Sequence, residues 1–302
     1  MPACQARLPD GRLHFQHGPI DIVIGADGEA QAVAAAHAAA WRRFESVLDE
    51  LVAELPLLRE PIAGPCRLTG PIARRMWLAC EPYREGYITP MAAVAGAVAQ
   101  ELIAFYEQGG IERAWVNDGG DIAWHLAPRR SLRVGLFADL SRLDAQQIVH
   151  GIRSDGQFDV THELPVRGVA TSGWRGRSFS RGIADSVTVL ARTAAEADAA
   201  ATVIANAVDV TDSRIVRKPA CEVKDDSDLG AIAVTVDVPP LGAEVTRRAL
   251  AAGARRAAGL RDAGLIWSCT LVCQGQVTYV GAMQAERAAD ANSTLVHTAV
   301  AA

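Results

Sequence analysis

Three times along the chain a stretch with strand-like alternation runs into a long amphipathic helix, and this repetition restricts the fold more than any other feature. Residues 11–23, GRLHFQHGPIDIV, alternate around a His-Gly-Pro turn as a hairpin does, and residues 25–55 follow with helical spacing. Later, DSVTVLA (185–191) leads into TAAEADAAATVIANAV (193–208), and GAIAVTVDV (230–238) leads into AEVTRRALAAGARRAAGL (243–260) and a closing hairpin, LIWSCTLVCQGQVTYVGAM. Hairpins place consecutive strands antiparallel, so the pattern excludes an all-parallel sheet. It predicts an α+β layered architecture of mostly antiparallel sheets with long amphipathic helices on one face.

Two further helices are expected between the first unit and the middle of the chain, in TGPIARRMWLACEPYRE and in PMAAVAGAVAQELIAFYEQGG, the second stopped by its glycine pair. Residues 225–230, DDSDLG, read as a loop. Half of the 302 residues are hydrophobic, enough for one domain of two closely packed lobes over residues 1–284, with 285–302 expected as a loosely ordered tail.

Charge narrows the function classes. A net charge of −5 with both signs interspersed gives no footprint for a nucleic-acid backbone. No apolar run reaches the length of a membrane span, and MPACQARLPDGRLHF lacks a secretory core, so a cytoplasmic protein with no membrane partner is expected. Six cysteines without CxxC spacing are expected as free thiols, and no zinc site is expected. Serine-hydrolase elbows, Rossmann fingerprints and Walker loops are absent from the sequence.

Three short constellations remain as candidate chemistry. Asp198 and Thr202 are four apart on a predicted helix and share a face, where a carboxylate and a hydroxyl suit Mg²⁺; the same segment also reads as a capping box, Thr193 with Glu196, beside ordinary core residues. GVATSG (168–173) sets two hydroxyl residues between glycines, a pattern that suits a loop offering amides to an anion, and Arg175, Arg177 and Arg181 follow within reach of a pyrophosphate or carboxylate. NDGGD (117–121) lies between two apolar runs as a hairpin turn does, yet it carries two aspartates where a turn needs none.

VNDGGDI (116–122), GVATSG (168–173), DSVTVLA (185–191) and ADAAAT (197–202) occur in an order and spacing that resemble the ApbE superfamily, whose characterised members are FAD-dependent protein FMN transferases. MAAVAGAVAQEL (91–102) looks like the family segment that precedes the glycine turn, and DSDLG resembles the smaller branch of ApbE-like proteins more than the transferases themselves. The resemblance implies a fold of the ApbE or T-fold kind. It also implies a metal held by Asp198, Thr202 and the carbonyl of Ala95, and a flavin-side turn of Gly119, Gly120 and Asp121 flanked by Asn117 and Asp118. Gly168, Ala170, Gly173 and Arg175 would line the ligand, with Asp121, Thr171 and Ser172 as working groups. Two departures stand out: the family's Ala-Lys-Gly is here Ala95-Gly96-Ala97, and its His-containing segment is reduced to RGIADS.

These readings give an expected enzyme that acts on a small anionic or heteroaromatic ligand by hydrolysis or group transfer, with FAD or FMN and Mg²⁺ as the implied cofactors. Two alternatives stay open: FAD:protein FMN transfer itself, and a non-catalytic cofactor-binding or assembly subunit linked to sulfur metabolism through the free cysteines. Alanine-rich helices also offer close-packing faces for a homo-oligomer.

Overall fold

A computed structural model describes residues 2–136, 156–176, 178–225, 227–281 and 294–297. In chain order its strands are β1 (Cys4–Arg7), β2 (Leu13–His17), β3 (Ile20–Gly28), β4 (Ile111–Asp118), β5 (Asp121–Leu126), β6 (Ser131–Leu136) and β7 (Gly156–Thr161). They continue with β8 (Gly168–Ser172), β9 (Ser186–Ala191), β10 (Val216–Pro219), β11 (Ala233–Asp237), β12 (Ser268–Cys273), β13 (Gln276–Val280) and β14 (Thr294–His297). The longer helices are α1 (Ala30–Ala53), α2 (Pro71–Cys80), α3 (Val94–Ile103), α4 (Ala194–Ala207) and α5 (Ala243–Asp262).

Nine strands form the main sheet in the order β1-β2-β3-β4-β5-β8-β9-β12-β13, and every neighbouring pair is antiparallel. The α+β class read from the hairpin-helix repeats is the class observed. Period-two alternation divides the sheet into two faces. Val116, Ala123, Ala170, Val187 and Val189 face the helices in the larger core, whereas Trp115, Ile122, Trp124, Val169 and Leu190 face the other way. That second face is covered by residues of the small sheet β14-β6-β7, including Leu132, Val134 and Val160. Helices therefore occupy one side of the main sheet and a second sheet the other.

Two details depart from the pattern of repeats. β11 pairs only with β10, in a separate two-stranded sheet, so the third strand-helix unit reaches the main sheet through β12 and β13 instead. Thr294–His297, in the segment expected as a tail, runs parallel to β6. None of the described helices is long and apolar enough to cross a membrane.

Helix α4 is the centre of the packing. Its hydroxyl cap, Thr193, accepts a hydrogen bond from the Glu196 amide at 3.2 Å, as the capping box predicts. Seven of its alanines are buried together with Ile204, so its small-residue surface is spent inside the protomer against α3, β8 and β9. Alanine buries little area per residue, and the stabilisation here comes from backbones approaching to close-packed distance. Two glycines permit that approach. A Cβ on Gly168 would lie 2.1 Å from the Ala194 nitrogen, and one on Gly96 would lie 2.3 Å from the Ala194 carbonyl oxygen.

Candidate functional site

The NDGGD segment is a two-residue hairpin turn between β4 and β5, with Gly119 at φ 63° and Gly120 at φ 111°, a conformation that glycine adopts without strain. Asn117 accepts a hydrogen bond from the Gly120 amide through Oδ1 at 2.8 Å, which closes the turn from within. Hairpin tips ordinarily face water. Here Asn117, Asp118 and Asp121 are only 5%, 6% and 9% exposed, and of the five residues Gly119 alone is open to solvent. Burying two carboxylates at a turn is costly unless something compensates them, which marks this tip as more than a connection.

Three other elements converge on it. GVATSG forms β8 rather than the anion-binding loop the glycines suggest, because Val169 and Ala170 alternate into the two cores and Gly168 makes room for α4. From β8 the Thr171 amide donates to Asp121 Oδ1 at 3.1 Å, while the Thr171 hydroxyl lies 2.9 Å from that of Thr188 in β9. From α3 the Gly96 amide donates to Asp198 Oδ2 at 3.0 Å. From α4 the Asp198 carboxyl comes within hydrogen-bonding reach of Asp121 and close to Asp118. Ser172 ends β8 half-buried, and Thr202 lies half-buried one turn beyond Asp198.

Electrostatics of the cluster follow from this crowding. Burial raises the Asp198 carboxyl well above the ordinary carboxylate range, the charges of Asp121 and then Asp118 add to the effect, and the Gly96 amide opposes it. Two neighbouring carboxyls in a dry setting do not both ionise freely, and a shared proton or a bound cation would relieve the repulsion. The thiol of Cys80, at the end of α2, is buried and pushed up in turn, with the Asp198 charge contributing.

A hard divalent cation fits this pair, since it would neutralise the repulsion that perturbs Asp198. Among the described residues no three His, Cys, Asp or Glu side chains stand together as a ligand set. The protein's donors would therefore be few: the two carboxylates, with the Thr202 hydroxyl on the same helix face, leaving the remainder of the shell to water and substrate oxygens as Mg²⁺ commonly has it. Ala95 sits in the first turn of α3 beside the Gly96 amide, its carbonyl within the helix.

The arginines are placed differently from a simple clamp. Arg175 pairs with Asp185 at 3.4 Å and stacks over the Trp174 ring at 4.9 Å, and the Trp174 indole N–H also donates to Asp185. Asp185 further accepts the Gln274 amide, so one nearly buried carboxylate anchors the start of the GWRGRS segment. Arg181 is exposed, with its amide donating to Asn206 Oδ1 at 2.8 Å, and Arg177 lies outside the described residues. Gly173 packs where a Cβ would meet the Asp185 carbonyl at 2.3 Å. Sequence reasoning passed over Thr188, Asp185 and Cys80. Thr188 carried a signal, a hydroxyl between two valines in the middle of β9; Cys80 carried none, being 118 positions from Asp198.

A family model described as "AbpE bacteria" matches residues 5–279. The chain belongs to that family. Other relatives of this member are UPF0280 proteins of methanogens. One from Methanopyrus kandleri is 36% identical over 220 residues, covering 72% of this chain and 83% of the relative. One from Methanospirillum hungatei is 32% identical over 203 residues, covering 67% and 77%. Among solved structures, an ApbE protein of Thermotoga maritima aligns at 13% identity over 91% of this chain and 96% of that one, with a TM-score of 0.43. A flavinyl transferase ApbE of Pseudomonas stutzeri aligns at 13% identity over 92% and 93%, with a TM-score of 0.41. The family match bears out the ApbE-like branch that the motifs suggest.

The departure from the transferase pattern at Gly96 now has a physical reason. Its Cα faces the Ala194 carbonyl so closely that a side chain would collide with backbone, and a lysine has no room there while α3 and α4 hold this spacing.

Proposed function

We propose that this protein is an enzyme of the ApbE-like superfamily that breaks a phosphoanhydride in a small anionic, heteroaromatic ligand, by hydrolysis or by transfer of one half to an acceptor. The observation that carries the reading is the buried Asp121–Asp198 carboxyl pair beside the Thr171 amide and the glycine tip. Buried like charges are unfavourable for folding and persist where function needs them.

In this reading Gly119 and Gly120 let a ligand approach backbone, and Ser172 and Arg175 border the approach. A divalent cation, when bound, supplies charge neutralisation for the departing phosphate. Asp121 is held in place by the Thr171 amide, and Asp198 by the Gly96 amide, so both carboxylates are oriented before a ligand arrives. The role assigned to Asp118 or Asp121 in this reading is to accept a proton from water or from an acceptor hydroxyl.

FAD is the probe best matched to the fold's relatives. With FAD and Mg²⁺, purified protein should release AMP on chromatography, whether the flavin half goes to water or to a protein; Asp121→Asn should lose most of that release. Covalent flavin on a co-expressed acceptor would assign transfer over hydrolysis. Absence of both binding and turnover of FAD, NAD and ADP, each with Mg²⁺ present, would overturn the proposal.

A further inference from the structure

Helix α5 has a charge unlike the rest of the chain. Residues 247–261 contain five arginines and no acid, in a protein whose formal charge is −5. Two of them, both exposed, have acidic or phenolic neighbours elsewhere in the chain: Arg248 acts on Asp212 and Arg256 on Tyr83. The other three, Arg247, Arg255 and Arg261, lie along one stripe with Ala251, Ala254 and Ala258 and border an open groove of about 570 Å³. Its opposite wall is β13, through Thr278 and Val280.

β13 ends the nine-stranded sheet, and no described strand lies beyond it. The β12–β13 hairpin turns through Gln274 and Gly275, both at positive φ, with Cys273 opposite Gln276. In such a two-residue turn the closing pair is hydrogen bonded, so pairing alternates along the ladder and Val277 directs its backbone N–H and C=O away from β12. Its side chain is 63% exposed. From Arg247 to Arg261 the stripe rises about 21 Å, the length of a six-residue extended segment.

We propose that this groove is a docking site for an acidic extended peptide of a partner protein, which adds to the edge of β13 and lays its carboxylates against Arg247, Arg255 and Arg261. The observations name the occupant's chemistry. The alanine floor admits a backbone closely, the strand edge offers main-chain partners, and the guanidiniums demand negative charge. Arg247 and Arg261 already lie beside Glu244 and Asp262, exposed pairs that a partner carboxylate can replace at little cost. For Arg255 no ion pair is seen among the described residues. The site is remote from the carboxylate cluster in sequence and stands independently of the proposed reaction.

Fluorescence anisotropy on the full chain tests it, with a fluorescein-labelled heptapeptide alternating glutamate and valine. The expected result is saturable binding that weakens with salt, is lost for the lysine-valine peptide, and falls at least ~tenfold for Arg255→Glu. Val277→Pro removes the outward N–H without touching the ladder to β12 and should weaken binding similarly. A glutamate-valine probe N-methylated at alternate residues gives the same test on the unaltered protein. Equal binding of both peptides, an unaffected Arg255→Glu protein, or tighter binding of a 20-nucleotide dT oligomer would overturn the proposal. Full binding of the N-methylated probe would overturn strand addition.

Discussion

Replacing Asp198 by asparagine should stabilise the protein at neutral and alkaline pH while removing its response to divalent cations. Asparagine keeps an oxygen to accept the Gly96 amide and nearly the same volume, so the packing of α3 against α4 is preserved. What disappears is a carboxyl whose charged form is disfavoured by burial and by Asp121 and Asp118. Because its folded-state pKa is raised, the folded protein binds more protons than the unfolded chain above the ordinary carboxylate value. Stability from Asp198 is thus fully present at low pH and is lost as pH rises through the raised value. Asp198→Asn cancels that loss. A stabilising substitution of this kind gives on the order of 1–2 kcal/mol, and about 1.6 °C in Tm per kcal/mol for 302 residues at about 2.1 cal/mol/K of unfolding entropy each. Thermal melts at pH 4.5 and pH 8 without divalent cations should show a difference between variant and parent that grows toward pH 8. With 10 mM Mg²⁺ at pH 8 the parent alone should gain stability, since a ligand that binds only the folded state raises the melt by mass action. A variant less stable than the parent at pH 8, or a difference independent of pH, would refute the account of the pair.

The remaining predictions concern packing and thiols. Gly168→Ala places a Cβ within 2.1 Å of the Ala194 nitrogen, so β8 and α4 must separate; a loss of about 1–3 kcal/mol by urea denaturation is expected, and an unchanged midpoint would show that the contact is not tight. A thiol reagent such as DTNB at pH 8 should label the exposed Cys4 and Cys221 fast and the half-buried Cys66 more slowly. Cys80, Cys269 and Cys273 should wait for unfolding, burial having pushed the Cys273 thiol up to about 12; rapid labelling of Cys80 would contradict its enclosure beside Asp198.

Particular residues show where sequence reading succeeded and where it stopped. The GG of NDGGD announced a turn because only glycine adopts both positive φ values cheaply, and Thr193 with Glu196 announced the start of α4 because the cap is local. GVATSG was ambiguous: the same small residues suit an anion loop or a strand under close helix packing, and only the position of Ala194 decides between them. The separate pairing of β10 with β11, and the tie between Asp185 and Arg175, involve partners that local pattern does not contain.

Sequence by itself determined the α+β class, the placing of the helices on one face of antiparallel sheets, and the turn and helix start of the candidate segments, because hydrophobic periodicity, turn residues and caps are written in neighbouring positions. Only the tertiary structure decided that Asp121 and Asp198, 77 positions apart, touch, and that Gly96 has no room for a side chain. Those facts depend on the distance between α3, α4 and the sheet, a quantity set by close packing of backbones that no single segment specifies.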